Sequence, residues 1–288
     1  MICNIQDTLQ IDLPDKHKDV VTAYNTEWDK DNGQGWELKN CIELTKDRKS
    51  LYDVGGNIGF FSLVFCLNNN VDNKKRAYCF EPSPFGLSSC VEILDHNDWF
   101  DRIKMFTVFV GDKEGVVEIL MEDTKTFVAL FEKPDKNHGI IDNGGRHRGT
   151  MVSLDNFTWL AEIGQEEKYS LDLIFEDEKK EVHHNYAGFE EEFDIDTIKI
   201  DVEGYEYKVL SGAKDTLKKY KPLMFLEIHK HLLKLYDADI MDVYTAIKEC
   251  GYEVYDIHMK KIKDVKGYVS LFNYANEIRV ICKGTENV

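Results

Sequence analysis

The sequence predicts an α/β fold, a mostly parallel central sheet with helices on both faces. Three observations carry the prediction. Short apolar runs alternate with helical patterns along most of the chain. The turn after the first clear run is glycine-rich, Asp53-Val54-Gly55-Gly56-Asn57-Ile58-Gly59, and the next run ends on an acidic residue, Phe80-Glu81-Pro82. Strands separated by helices favour parallel pairing, because a helix is the usual return path between parallel neighbours.

Residues 50–54 read as the first strand. Residues 58–67 form the helix after it, with Phe60, Phe61, Leu63, Val64 and Leu67 facing inward. A second strand (77–80) precedes a second helix (84–96), whose Pro84 suits a first helical turn because the missing N–H is not needed there. Residues 103–110, rich in β-branched and aromatic side chains, form a third strand. After the turn Gly111–Gly115 comes another strand, 116–121. Residues 122–150 read as a loop ending in glycine-rich 142–149, and 151–163 as strand then helix. The acidic stretch 164–194 reads as an insertion. Strand 196–202, helix 205–220 and strand 222–228 follow. Helix 240–250 is closed by Gly251 as a C-terminal cap, and 252–257 and 277–282 are the last strands. Ahead of all this, residues 1–47 form a loosely structured or helical lead-in, broken at Asn32–Gly35, with 36–44 as a short strand. The expected organisation is a 1–47 lead-in and one 48–288 domain, with loop insertions at about 122–150 and 164–194.

With 288 residues, 43% of them hydrophobic, the chain can bury one sizeable core. Its net charge of −17 gains nothing from a phosphate backbone, which argues against nucleic acid as a partner. No apolar run approaches the roughly 20 residues of a membrane span. Residues 1–18 have neither the basic start nor the apolar stretch of a secretory signal. The seven cysteines include no Cys-x-x-Cys pair, as expected for reduced core thiols in a cytoplasmic protein.

Glycines at 55, 56 and 59 let the backbone turn sharply and approach a ligand closely. A dinucleotide fingerprint aligned on Gly59 would require glycine where Val54 stands, so that reading loses one of its three glycines. Asp53, at the strand end, suits a cofactor carrying an amino group and a sulfonium charge. The plain alternative is an ordinary strand–turn–helix junction. Glu81 occupies the place where a carboxylate accepts both ribose hydroxyls, although it could equally cap the following helix. Asp112 could lie near an adenine or be a simple turn residue.

These segments resemble the FkbM family of S-adenosylmethionine-dependent methyltransferases. The resemblance rests on 53–62, on 80–84 with Asn97, on 111–115, on Val152-Ser153-Leu154-Asp155-Asn156-Phe157, and on Lys199-Ile200-Asp201-Val202-Glu203-Gly204-Tyr205-Glu206. The last block continues through Gly212-Ala213 to Leu226-Glu227-Ile228-His229. The resemblance implies a Rossmann-like class I methyltransferase fold and S-adenosyl-L-methionine as cofactor. It implies cofactor contacts from Asp53, Gly55, Gly56, Asn57, Gly59, Glu81 and Asp112, and action on hydroxyl groups of sugars, lipids or small natural products. Gly56 stands where this family often carries alanine, which reads as a harmless change. The lead-in and the 164–194 insertion lie outside the resemblance.

Ligands of such sheets collect beyond the carboxyl ends of the strands. That gathers Asp201, Glu203, Glu227 and His229 as the candidate catalytic set. Removing a hydroxyl proton needs a base within hydrogen-bond reach, and His229 or Asp201 is expected to serve. Glu203 and Glu227 would orient the acceptor or, with Asp201, hold Mg²⁺. Alternatively these carboxylates bind sugar hydroxyls or pair with Lys199, and His229 is a partly exposed strand-end residue. His183-His184 read as solvated loop residues. Arg146, His147 and Arg148 read equally as a lid over the substrate or as a flexible loop. The expected partner is a small-molecule or carbohydrate-like acceptor. A non-catalytic S-adenosylmethionine-binding protein and a NAD(P)-dependent oxidoreductase remain as alternatives.

Overall fold

A computed structural model describes residues 2–6, 8–27, 33–68, 75–121, 128–131, 145–165 and 194–285. The chain opens with a hairpin, β1 (Ile2–Ile5) and β2 (Leu9–Asp12), followed by α1 (Lys18–Glu27) and α2 (Gln34–Leu44). The alternating part then runs β3 (Ser50–Val54), α3 (Phe60–Leu67), β4 (Arg76–Phe80), α4 (Pro84–Asn97) and β5 (Ile103–Phe106). Four strands follow, β6 (Val108–Gly111), β7 (Gly115–Met121), β8 (Val128–Phe131) and β9 (Gly145–Ser153), then α5 (Leu154–Glu162). The second half holds β10 (Thr197–Ile200), α6 (Glu206–Ser211), α7 (Lys214–Tyr220), β11 (Leu223–His229), α8 (Lys230–Leu233) and α9 (Ile240–Glu249). It ends with β12 (Tyr252–Asp256), β13 (Lys261–Ile262), α10 (Val265–Ser270) and β14 (Glu277–Gly284).

The central sheet has the order β13-β12-β14-β11-β10-β3-β4-β5. Strands β11, β10, β3, β4 and β5 are parallel, and β14 enters antiparallel between β11 and β12. The fold is Rossmann-like, of the class I methyltransferase type. From β3 the chain moves outward to β4 and β5, then returns to β10 on the other side. The carboxyl ends of β3 and β10 therefore flank a topological switch point, where a crevice opens.

Alternation along the strands sends side chains to two separate cores. Tyr52, Val54, Tyr78, Phe80 and Phe106 pack against Phe157 of α5. Leu51, Ala77 and Cys79 face α3 and α4 on the other side. That second core also takes in Ile5, Leu13, Leu38, Cys41 and Ile42, so the described part of the lead-in is built into the same body.

Several elements differ from the sequence-based expectation. Residues 36–44 are helical rather than a strand: Leu38, Cys41 and Ile42 lie three and four residues apart and make one buried face. The single strand expected over 103–110 is two. At the edge of the central sheet, where β5 has a partner on one side alone, the chain leaves after Phe106, and β6 pairs with β9 instead. The stretch 122–150, read as a loop, contributes β8 and the start of β9 to a four-stranded sheet of order β6-β9-β7-β8. Gly145-Arg146-His147-Arg148-Gly149 has no β-branched residue to signal a strand; its register comes from pairing with β7. The helix expected over 205–220 breaks at Gly212-Ala213, where a Cβ on Gly212 would stand 1.9 Å from the Gly111 carbonyl oxygen. The acidic runs of the 164–194 insertion, His183 and His184, and the glycine-rich start 142–144 lie outside the described residues.

Candidate functional site

The loop joining β3 to α3 is held in an unusual backbone shape. Gly55, Asn57 and Gly59 have φ of 76°, 49° and 75°. A Cβ on Gly55 would meet the Asp201 carbonyl oxygen at 1.8 Å, so both conformation and space require glycine there. The Gly55 and Gly56 N–H groups both donate to the Phe80 carbonyl, at 3.0 and 3.1 Å. Glu81 is fixed by two backbone donors: Oε2 accepts from Asn57 N–H and Oε1 from Ser83 N–H, each at 2.7 Å. Burial pushes its carboxyl pKa up, against the opposing hydrogen bonds from Ser83 and Asn57.

A cleft of about 760 Å³, open to solvent, lies at the switch point. Phe80, Val108, Phe109, Val110, Tyr205 and Tyr236 form apolar walls, while Gly55, Asn57, Glu81, Asp201 and Glu203 supply its polar atoms. Apolar walls with a carboxylate beside them suit a ligand that joins an apolar ring to hydroxyl groups.

The remaining expected cofactor residues stand behind or beside this wall. Asp53 is fully buried; its Oδ2 accepts from the Ser62 N–H and hydroxyl at 3.1 and 2.6 Å. Its Oδ1 lies 3.8 Å from the Lys199 ammonium. Lys199 in turn donates to the Gly55 carbonyl at 3.0 Å and to Asp201 Oδ2 at 3.2 Å, tying the glycine loop to the end of β10. Burial disfavours its charge, yet Asp201, Asp53 and Glu37 together hold it protonated. Gly56 and Gly59 pack on the Cys79 and Cys90 sulfurs, where a Cβ would come within 2.2 and 2.3 Å. Glycine at position 56 is therefore required by the Cys79 sulfur in this chain, more than the harmless change expected from the resemblance. Asp112 is not one of the residues that line the cleft; it pairs with Lys208 of α6 at 3.1 Å, beside the cleft residue Tyr205.

At the carboxyl ends of β10 and β11 the four expected catalytic residues come together. His229 is 3% exposed, which corrects the partly exposed reading. Its Nε2 lies 3.4 Å from Glu203 Oε2 and 3.6 Å from Glu227 Oε1, while Nδ1 is 2.8 Å from Glu206 Oε1. Burial works against the imidazolium, but the hydrogen bond and charge of Glu206, with the charges of Glu203 and Asp201, raise the His229 pKa overall. Burial, Asp201 and a hydrogen bond with Glu277 push Glu227 up to about 11. Asp201, Glu227 and His229 can bring one ligand atom each within 4.8 Å of the others. Arg279 Nη2, however, sits 2.5 Å from Glu227 Oε1 and supplies positive charge at that carboxyl. Glu203, expected among the metal ligands, is outside that trio.

Sequence reasoning missed Glu206, Glu277, Arg279 and Glu37. Glu206 stands in the block around Asp201 and Glu203. Arg279, a charge inside the apolar run of β14, was a visible signal, since a buried arginine needs acidic partners. Glu37 comes from the lead-in helix α2, 3.9 Å from the Arg279 Nε, and nothing in its surrounding sequence marks it. The block at 153–157 is structural: Ser153 Oγ caps α5 by accepting from the Asn156 N–H, and the Asp155 carboxylate accepts from the Asp215 and Thr216 N–H groups at the start of α7.

Among curated proteins, the 2-O-methyltransferase NoeI of Sinorhizobium fredii is 26% identical over 179 residues, covering 61% of this chain and 62% of that protein. This chain thus spans under two thirds of that relative's length. Among solved structures, the methyltransferase FkbM of Methylobacillus flagellatus is similar at 11% identity and a TM-score of 0.44, covering 93% of this chain and 60% of that one. An O-methyltransferase of Bacillus cereus in complex with SAH is similar at 10% identity and the same TM-score of 0.44, covering 98% and 95%. Residues 53–254, from the end of β3 to the middle of β12, match the methyltransferase FkbM domain. A match over most of the chain, on the strands and loops that build the cleft, makes this protein a member of the FkbM methyltransferase family.

Proposed function

We propose that this methyltransferase uses S-adenosyl-L-methionine to methylate a hydroxyl group on a sugar, a lipid or a small natural product, with His229 as the base. The observation that carries the reading is a buried histidine whose Nε2 lies 3.4 Å from Glu203, a residue that lines the apolar-walled cleft. When bound, S-adenosylmethionine supplies an activated methyl group on a sulfonium. Its ribose suits Glu81, and Gly55 and Asn57 let the backbone come close. Asp53 is read as acting through Lys199 and Ser62, holding the loop in shape, with Gly56 and Gly59 as spacers. Asp112 is read as steadying α6.

On the acceptor side, Asp201 and Glu203 offer oxygens to orient a polyol, and His229 takes the hydroxyl proton. Glu227 serves through its contacts with Arg279 and Glu277. The acidic lining disfavours phosphate and other anionic acceptors, which matches the chain's charge of −17. Arg279 supports a metal-free site, because Mg²⁺ on Glu227 would have to displace it. The relative NoeI is named for 2-O-methylation, which favours oxygen over nitrogen.

The test is formation of S-adenosylhomocysteine with a panel of neutral sugars and polyols, read by mass spectrometry. The expected result is turnover with at least one acceptor, unchanged by EDTA, and lost by about 10²- to 10⁴-fold in His229→Ala, the usual contribution of a positioned base. Full turnover in His229→Ala contradicts the assignment of the base. Loss of turnover on chelation, restored by Mg²⁺, contradicts the metal-free reading.

A further inference from the structure

We infer that Glu206 is the positioning residue of the site: a buried carboxylate that fixes one tautomer of His229, with the proton on Nδ1 and Nε2 on the side of Glu203 and Glu227. The inference rests on the reading of His229 as base. Glu206 is completely buried at the start of α6, on an element separate from β11, which carries His229. Its Oε1 accepts from the Gly204 N–H at 2.9 Å and lies 2.8 Å from His229 Nδ1. A carboxylate oxygen at that distance takes its proton from Nδ1, so in the neutral ring Nδ1 is the donor and Nε2 is the nitrogen without a proton.

The loop before α6 is bent to make this possible. Glu203 and Gly204 are consecutive left-handed residues, with φ of 51° and 100°. A Cβ on Gly204 would stand 2.5 Å from the Leu232 Cβ, so this turn is pressed against α8. The bend aims the Gly204 N–H at Glu206 while Glu203, half-exposed, reaches Nε2 from the cleft side. The imidazole is therefore held between two carboxylates of different kinds. Glu206 is buried and locks Nδ1; Glu203 is open to solvent and lies beside the working nitrogen. Asp201, Glu227, Glu277 and Arg279 complete the charged surroundings of the ring.

In the step itself the acceptor oxygen forms its bond to the methyl carbon as the sulfonium S–C bond breaks, leaving a neutral thioether. The hydroxyl proton passes to His229 Nε2. The Nδ1 proton stays in place, and the Glu206 charge faces the imidazolium that results.

The experiment reads the ring directly and needs no acceptor. The full-length protein, labelled with ¹⁵N-histidine, is examined by long-range ¹H–¹⁵N correlation above the histidine pKa, with His229→Gln assigning the signal. The expected result is one pure tautomer, protonated at Nδ1. Glu206→Gln retains it, because an amide oxygen can also accept from Nδ1, whereas Glu206→Ala gives the mixed tautomers of a free imidazole. A proton on Nε2 in the wild type overturns the inference, as does a pure Nδ1–H tautomer surviving in a folded Glu206→Ala. If Glu206→Ala does not fold, the wild-type and Glu206→Gln spectra still decide. Failure of S-adenosylmethionine binding would remove the proposed function and leave the tautomer result standing on its own.

Discussion

A Cβ built on Gly56 would stand 2.2 Å from the Cys79 sulfur. The neighbour decides: a buried sulfur on β4 occupies the space that the extra methyl needs. Gly56→Ala is expected to destabilise the protein by about 1–3 kcal/mol, the usual penalty for overpacking, and Gly56→Ala combined with Cys79→Ala to recover most of it. Urea denaturation of the single and double variants checks this; an unshifted midpoint in Gly56→Ala would show that the loop yields instead. His229 gives a second prediction at this scale. Its raised pKa means that the neutral base forms only above the ordinary histidine value, so kcat should rise with pH through a value above about 6.5. The same shift favours the folded state below about 6.5, a contribution lost as pH rises through the folded value. A flat pH profile across that window would remove His229 from the chemistry.

Elements were legible where burial is periodic and illegible where pairing alone decides. β3, α3, β4, α4, β10 and β11 carry strong apolar patterns, and their carboxyl ends could be placed beside one another from topology alone. That is why Asp201, Glu203, Glu227 and His229 could be named together. The start of β9, Gly145–Gly149, has no such pattern, β8 is an apolar run of only four residues inside a stretch read as loop, and the helix α2 resembled a strand in a short window. Partners from distant elements were the hardest to read. Glu37, Glu206 and Arg279 matter through contacts that no local spacing encodes, and only the register of β14 on β11 brings Arg279 opposite Glu227. For α2, Leu38→Ala should lower stability by about 2–5 kcal/mol, as expected for a buried leucine. The shift should appear in the main unfolding transition, because Leu38 shares its core with α3 and Phe225. A separate early transition would make the lead-in an independent unit.

At the scale of the whole molecule, the strands of a five-stranded parallel core end on one edge, where Asp201, Glu203, Glu227 and His229 gather. Asp53, Lys199, Glu227 and Arg279 alternate with side chains of the core under α5 and so face the side covered by α2 and α3, while the apolar walls of the cleft belong to the opposite core. The cleft and the charged cluster around His229 thus meet at the strand ends, where Asp201 and Glu203 belong to both. Calorimetric titration of the purified chain with S-adenosylmethionine, with NAD⁺ as control and Glu81→Ala as the variant, tests the account most directly. The account predicts micromolar S-adenosylmethionine binding, about −8 kcal/mol, lost in Glu81→Ala, and no binding of NAD⁺. Absent S-adenosylmethionine binding, or a preference for NAD⁺, would contradict it.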